Sequence, residues 1–235
     1  MPRPPLDDVL YPPFRGFPRE GLKFLHTLKR NNNRPWFLKH KADYEENVRF
    51  PMQCLIAGLA VRLHDEIPEV EFNPRRSIFR IYRDVRFSRN KAPYKTNVAA
   101  WFGPRTTKGA SEGPGLYVGV GEDEIFAGGG LYMPSGEQLK AIRKSIAERP
   151  DDYLAIVGAQ RFRRRFGGIQ GEMLSRAPLG YRPDHPMIDH LRHKQYFVGI
   201  ELREKDCLTP SFLEKVAQTF ADTMPLVRWL VRATA

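Results

Sequence analysis

The sequence predicts an α+β fold, in which an antiparallel meander of strands has helices before and after it, packed mainly on one face. Two patterns predict this class. In the N-terminal part of the chain and again at its end, apolar residues recur at helical spacing. Between these parts, short apolar or alternating segments follow one another, separated by glycine- and proline-containing turns, as consecutive antiparallel strands require.

The composition limits what kind of protein this is. Hydrophobic residues make up 41% of the 235 positions, and no apolar run approaches the ~20 residues that span a bilayer. The Pro-rich residues 1–16 lack the apolar segment of a signal peptide and are expected to be extended. The two cysteines form no disulfide framework. We therefore expect a cytoplasmic protein without membrane contact, with a single domain over residues 17–235 because no linker divides them.

Three helices are predicted before the sheet. The first covers Pro18 to Lys29, and the asparagines 31–33 end it in left-handed conformation and cap the second helix. That second helix covers Arg34 to Val48. The third opens at Pro51, carries an apolar stripe and is stopped by Pro68. The asparagines are interpreted as structural punctuation rather than as a functional cluster.

The centre of the chain is the basic stretch, residues 77–96, with the sequence SIFRIYRDVRFSRNKAPYKT. Its odd positions form an apolar face that Arg83 interrupts, and its even positions form a polar face. This alternation is typical of a half-buried antiparallel strand. Pro93 lacks a ladder donor and favours a loop before Tyr94.

Three further strands are predicted downstream, at residues 98–102, 116–120 and 125–132, with a tight hairpin at 121–124 and a mobile loop at 103–115. These strands are rich in small residues, namely Ala99, Ala100, Gly119, Ala127 and Gly128 to Gly130. Such residues predict close packing of a helix, the favoured alternative, or a shallow pocket rimmed by Arg80 and Arg86.

The elements after the meander follow from capping signals and periodicity. They are a helix from Ser135 to Glu148 with a Ser135–Gln138 capping box, a short helix from Asp152 to Ala159 capped by Asp151, a helix from Pro186 capped by Asp184, a strand over 195–202, and a last helix from Thr209 through Val231 that Pro225 kinks.

Positive charge is concentrated in one region. The chain has a formal charge of +11, and between Arg75 and Lys108 ten basic residues stand against the single acid Asp84, a net of +9. Cations this close repel one another unless carboxylates from elsewhere in the fold, or an anionic ligand, lie between them. Two interpretations stay open at this point: a solvated, partly salt-bridged face, or an anion site.

The anion-site hypothesis predicts a small ligand with a phosphate or carboxylate group. Arginine presents a planar fork to such groups, lysine adds a point charge, and hydroxyls donate. Arg80 and Arg86 are the predicted clamps, with Lys95 as the point charge. The predicted ligand-binding residues are Arg80, Arg83, Arg86, Ser88, Lys91, Tyr94, Lys95 and Thr96. No nucleophile, general base or cofactor motif accompanies them, so catalysis and any cofactor are left open.

Two other functions are carried as alternatives. A nucleic-acid-binding module would use the basic runs 75–108 and 161–166, with Phe162 and Phe166 available for stacking, although an edge strand explains the second run equally well. A scaffold protein would present the basic stretch to an acidic partner. Metal binding by His190 and His193 is disfavoured because their spacing matches no zinc signature, and both are interpreted as surface histidines.

The basic stretch also resembles the signature of a family of uncharacterised conserved proteins, domain of unknown function 2461. Three other segments share the resemblance: FLHTLKRNNNRPWFLKHKADYE, GGGLYMPSGEQLKAIR and the stretch from APLGYRPDHP to Lys194. Together they extend from about Phe17 to Trp229. The resemblance implies a domain definition and no catalytic residue. Arg89-Asn90 stand where Lys-Asp is expected in many relatives, which makes this copy more basic.

Overall fold

The computed structural model describes residues 11–104 and 113–235. Within them the chain is α+β, with a four-stranded antiparallel meander in the order β1-β2-β3-β4. The strands are β1 (Asn97–Phe102), β2 (Gly115–Gly121), β3 (Ile125–Leu131) and β4 (Tyr196–Glu201). The predicted fold class, the meander and the positions of the four strands predicted after the basic stretch are confirmed. Residues 1–10 of the predicted Pro-rich segment and residues 105–112 of the predicted loop lie outside the described residues.

Helices lie on both sides of the sheet, where the sequence predicted them mainly on one face. The burial of the strands explains the difference. Successive strand residues point to opposite faces, and a sheet with one wet face would expose every second residue. Instead, residues 98–100 of β1 and residues 127–129 of β3 are buried without interruption. Both faces of these strands are therefore covered.

The described residues form two compact units. The first comprises residues 11–102, Tyr117–Ala127 and Glu201–Gln218. The second comprises residues 103–104 and 113–116, Gly128–Ile200 and Thr219–Ala235. The single domain expected over residues 17–235 stays a prediction.

The first unit begins with four α-helices: α1 (Arg19–Arg30), α2 (Arg34–Lys39), α3 (Lys41–Tyr44) and α4 (Phe50–Arg62). Asn33 caps α2 as predicted, because its Oδ1 accepts the Trp36 N–H at 3.0 Å. Asn31 ends α1 with a φ of −120°, so the predicted left-handed ending is wrong. The predicted second helix is divided into α2, α3 and a π-helical turn, Glu45–Arg49.

The π-helical turn has a cause in the sequence. Pro51 has no N–H to offer the carbonyl of Asn47 four residues earlier, and its ring would collide with that carbonyl in a regular helix. A wider turn avoids the collision. The Asn47 carbonyl packs instead against Gly21 of α1, where a Cβ would lie 2.1 Å from the oxygen. Helix α4 then ends at Arg62 rather than at the predicted stop, Pro68.

The second unit carries α5 (Gly136–Glu148), α6 (Pro150–Val157), α7 (Gln160–Phe166) and α8 (Ile188–Leu191). The Ser135–Gln138 capping box at α5 is confirmed. Two predicted caps are wrong. Helix α6 begins at Pro150, so Asp151 lies inside its first turn, and Asp184 binds the Arg182 guanidinium instead of capping a helix. Arg149 and Met187 occupy the two N-cap positions, and neither side chain accepts a capping hydrogen bond.

The chain ends with α9 (Glu204–Cys207) and α10 (Ser211–Ala233), which runs on through Pro225. In the first unit, the N-terminal Phe14 is buried against Phe17 and Phe212, with ring centroids 5.8 and 6.2 Å away. Among the helices of the described residues, none combines the length and apolar character needed to cross a bilayer.

Candidate functional site

The basic stretch is not the regular strand that its alternation predicts. Two backbone hydrogen bonds join residues 77–79 to residues 99–101 in antiparallel pairing. Residues 81–83 then pair with residues 93–95 of the same stretch, through bonds of 2.8 and 2.9 Å. Since Pro93 has no N–H, this second pairing cannot extend into a full ladder. The stretch is therefore a narrow fold-back of isolated bridges within the first unit.

The fold-back changes which side chains are buried. Ile81 is 8% exposed, as its position on the predicted apolar face requires. Phe87, which the same alternation placed on that face, is 95% exposed, so this part of the prediction is wrong. The pairing ends at Arg83, and residues 84–92 leave the sheet before the alternation is complete.

Two of the predicted cations, Arg86 and Lys91, already donate hydrogen bonds to acceptors within the basic stretch. The Arg86 guanidinium donates to both carboxylate oxygens of Asp84, with its Nη2 2.7 Å from Oδ2. These hydrogen bonds lower the pKa of Asp84 to about 2. The Lys91 ammonium donates to the Val85 carbonyl at 3.0 Å. The one acid of the stretch is thus taken by Arg86, which is exposed.

Three other predicted cations, Arg80, Arg83 and Lys95, have no carboxylate partner among the described residues. Arg83 donates to the Ala92 carbonyl at 3.3 Å. The half-buried Lys95 has its Nζ 4.9 Å from the centre of the Phe79 ring and no hydrogen-bond acceptor among the described residues. Burial lowers the pKa of Lys95, and the positive charge of Arg80 lowers it further.

A cleft of about 470 Å³ lies beside this group, within the first unit. It is lined by four of the eight predicted ligand-binding residues: Arg83, Tyr94, Lys95 and Thr96. The remaining four, Arg80, Arg86, Ser88 and Lys91, are not part of its lining. Lys29, Ala92, three asparagines and the turn 121–124 complete the described lining. The structure therefore brings half of the predicted set together around one space.

Asn32 is one of the lining residues that the sequence interpretation missed. Its Nδ2 donates to the Tyr94 carbonyl at 2.9 Å, and its Oδ1 accepts the Tyr94 N–H at 3.0 Å. Asn32 thereby pairs with the basic stretch as a neighbouring strand would. The Tyr94 ring is buried and stacks on Phe37, with centroids 4.1 Å apart. The middle asparagine of the triplet therefore holds the backbone of Tyr94 at the wall of the cleft, while its neighbour Asn33 is a helix cap.

The turn 121–124 brings acidic residues to the cleft. This predicted hairpin is confirmed by the hydrogen bond from the Gly121 N–H to the Glu124 carbonyl, 3.1 Å. His26 and Lys29 approach Glu122, and the Lys29 ammonium also lies 2.6 Å from Asp123. Among the described residues Glu124 has no side-chain partner. The lining is therefore mixed in charge.

A second cleft, of about 650 Å³, is bordered by the same turn, by α1 and by residues 201–204. Its lining adds Glu20, Glu201 and Glu204 to the carboxylates of the turn, and it also includes the basic residues Arg19, Lys23 and His26. In the part of the chain that the structure describes, no group of His, Cys, Asp or Glu side chains could hold a metal ion. The sequence did not point to this cleft.

The small residues of the strands support close packing rather than a glycine-floored pocket. In the second unit, a Cβ on Gly129 would lie 2.7 Å from the Thr223 hydroxyl of α10. In the first unit, a Cβ on Gly119 would lie 2.6 Å from the Tyr117 hydroxyl. Side chains already fill these positions.

The second basic run is helix α7, so its prediction as an edge strand is wrong. Phe162 and Phe166 are 6% and 8% exposed and belong to the core of the second unit. They have no free face for stacking on bases. Arg161 and Arg165 both approach Asp222 of α10, whose side chain is 7% exposed.

The sequence predicted that His190 and His193 both lie at the surface, and this prediction is wrong for His193. His193 is 8% exposed, and its Nδ1 is the one buried side-chain nitrogen or oxygen of the described residues without a hydrogen-bond partner. His190 lies 3.3 Å from the Tyr153 hydroxyl through its Nδ1. Burial lowers the pKa of both histidines.

The sequence was compared with known families, curated proteins and solved structures. A family described as Conserved hypothetical protein (DUF2461) matches residues 20–229. The match spans the basic stretch and every described residue of the 470 Å³ cleft, and it confirms the family resemblance. No curated protein and no solved structure matches the chain. The family description assigns no activity.

Proposed function

The chain belongs to the DUF2461 family, and we propose that it binds a small ligand carrying a phosphate or carboxylate group in the 470 Å³ cleft. Arg83 and Lys95 would meet the anionic group, with the Thr96 hydroxyl as a neighbouring donor and the buried Tyr94 as part of the wall. This narrows the predicted set of eight residues to the four that line the cleft.

The observation that carries the proposal is the environment of Lys95. A half-buried ammonium loses part of its hydration and normally gains a carboxylate or carbonyl in exchange. Lys95 has gained a ring face and a cationic neighbour, Arg80, and no acceptor among the described residues. An anion in the cleft would supply the missing acceptor. The size of the cleft falls within the range of roughly 300–1,000 Å³ that small-molecule sites occupy.

The proposal is tested by thermal shift with inorganic phosphate, ethyl phosphate and succinate, each at several salt concentrations. A ligand at ~100 times its Kd stabilises by about 2.7 kcal/mol, which raises the Tm of a protein of this size by roughly 5–10 °C. Lys95→Gln should weaken binding roughly 10- to 100-fold, because it removes a charged hydrogen bond.

Lys91→Gln is the matched control. It removes the same charge from the same stretch, but the Lys91 ammonium lies on backbone carbonyls outside the cleft lining. Binding that survives Lys91→Gln and is lost with Lys95→Gln supports the cleft. Equal losses in both variants would mean that net charge alone attracts the ligand, and the proposal would fail.

The nucleic-acid alternative is distinguished by its salt dependence. Binding through released counterions falls steeply as salt rises, whereas a ligand held in a pocket depends on salt much less. An oligonucleotide that shifts the Tm only at low salt, with no shift from any small anion, would favour the alternative. The burial of Phe162 and Phe166 removes the stacking contribution that the sequence offered to it.

A further inference from the structure

The charges that line the 470 Å³ cleft do not cancel one another. Arg83 and Lys95 lack carboxylate partners in the described part of the chain. Of the three carboxylates in the turn 121–124, Glu122 lies near His26 and Lys29, and Asp123 near Lys29. The carboxylate of the third, Glu124, has no partner among the described residues, and no ion pair joins it to either cation of the cleft. One space is thus bordered by two unneutralised cations and one unneutralised anion.

We propose that the ligand of this cleft is zwitterionic, with a phosphate or paired carboxylates for Arg83 and Lys95 and an ammonium group for Glu124. The inference rests on the proposed function, because it names the second charge of the ligand that the same cleft binds. Complementary charge at both ends orients a ligand and selects it over analogues that lack one end.

The role of Glu124 is mainly to discriminate. A plain dianion, such as a phosphate monoester without an amine, would bring like charge towards the Glu124 carboxylate. An ammonium group placed there turns repulsion into attraction and leaves the contacts of Lys95 unchanged. Net charge alone predicts the opposite order, since a basic protein attracts a dianion more strongly than its amine-bearing analogue. The order of affinities is therefore diagnostic.

Two matched ligand pairs test the inference by isothermal titration calorimetry of the full chain at constant ionic strength. Phosphoethanolamine is compared with ethyl phosphate, and aspartate with succinate, so that each pair differs by one ammonium group. We expect the ammonium-bearing member of one pair to bind about 3- to 10-fold more tightly, the strength of a partly exposed charge contact. The pair that shows binding also identifies the anionic group as phosphate or carboxylate.

Glu124→Gln should remove that preference while leaving the plain anion bound at least as well. Glu46→Gln is the control, because Glu46 is exposed, lies outside the cleft lining and loses the same charge. Loss of the preference in both variants would show a net-charge effect and overturn the inference.

The remaining outcomes separate the two proposals. Equal binding of both members of a pair, abolished by Lys95→Gln, would overturn the zwitterion and leave the anion site standing. Absence of binding for all four ligands, or binding that ignores Lys95→Gln, would overturn both. A urea unfolding curve for each variant confirms that a lost signal is not lost folding.

Discussion

The basic stretch of residues 77–96 and helix α7 in the second unit resemble each other in sequence, since each interleaves cations with aromatic residues. The fold uses them differently. In α7, Phe162 and Phe166 lie in the core and Asp222 holds the two arginines that reach it. In the basic stretch, Phe87 is almost fully exposed and Lys95 has no acceptor among the described residues.

The two regions differ in where the acid that neutralises their cations comes from. In α7 the neutralising acid comes from a residue about 60 positions away, so local composition overstates how much charge is free. In the basic stretch the neutralising acid is local, and Arg86 makes the ion pair with it. Clustered cations mark a ligand site only where the acids of the folded chain fail to reach them. Three pairs of substitutions test this contrast, from the largest expected effect to the smallest, and a pH series then tests the buried His193 of the second unit.

The aromatic residues should give the largest contrast. Phe162→Ala should lower the free energy of unfolding by about 3–5 kcal/mol, because it empties a buried position in the core of the second unit. Phe87→Ala should change it by less than about 0.5 kcal/mol, as surface substitutions do. Urea denaturation measures both. A small loss for Phe162→Ala would return this ring to the surface and revive base stacking.

The acids should give the second contrast. Asp222→Asn should cost about 1–3 kcal/mol, because the carboxylate is buried and two arginines depend on it. Asp84→Asn breaks an exposed pair and should leave the unfolding midpoint unchanged. Chemical unfolding of both variants beside wild type is the measurement, and similar midpoints for the two would contradict the contrast.

Replacing a cation in each region should change the free energy of unfolding in opposite directions. Lys95→Met keeps an unbranched chain against Phe79 and removes an unpaired ammonium, so the ligand-free protein should gain up to about 1 kcal/mol. Arg165→Met should cost about 1 kcal/mol, because Arg165 contacts Asp222 and donates to Thr219 at 3.0 Å. Melting temperatures without ligand test the signs. Destabilisation by Lys95→Met would mean that this lysine serves the fold.

Acidification should weaken the second unit through His193. Its pKa is lowered in the folded state by burial and then by His190, so the unfolded chain takes up the proton first. The contribution of neutral His193 to the free energy of unfolding is therefore fully present above the ordinary histidine pKa of about 6.5. It is lost as the pH falls through and below that value. Unfolding free energies between pH 8 and pH 5 measure the slope. His193→Gln should make the slope shallower, and His190→Gln should reduce it as well, because burial lowers the pKa of both histidines. An unchanged slope in His193→Gln would contradict this prediction.

Much of the fold was predictable because its signals are local. The capping box of α5 and the hairpin at 121–124 involve residues three apart, and the strand patterns each lie within one segment. Some of the failed predictions depended on distant partners, whereas Asp184 failed as a cap beside a local partner, Arg182. The π-helical turn follows from Pro51, yet the glycine that accepts the displaced carbonyl is in α1. The basic stretch paired partly with itself, which its alternation alone does not reveal.

The sequence predicted which stretch contributes to the candidate site better than it predicted which individual residues line the cleft. The stretch itself was identified from its charge, and four of its eight predicted residues line the cleft. Asn32 was missed because its partner Tyr94 lies 62 positions away, and because its neighbours in the triplet are good capping residues. Glu124 was seen only as part of a hairpin. The signal that could have identified Asn32 is its position between two helices, where it serves as a cap for neither.

The sequence by itself determined the fold class, the order of the strands, the family and the region of surplus positive charge. These depend on periodicity, turn residues and composition, which are properties of neighbouring positions. Only the tertiary structure decided which cations are neutralised, which aromatic rings are buried and which residues share one cleft. Charge pairing and burial are set by contacts between distant positions, and the same local pattern in α7 and in the basic stretch is compatible with either result.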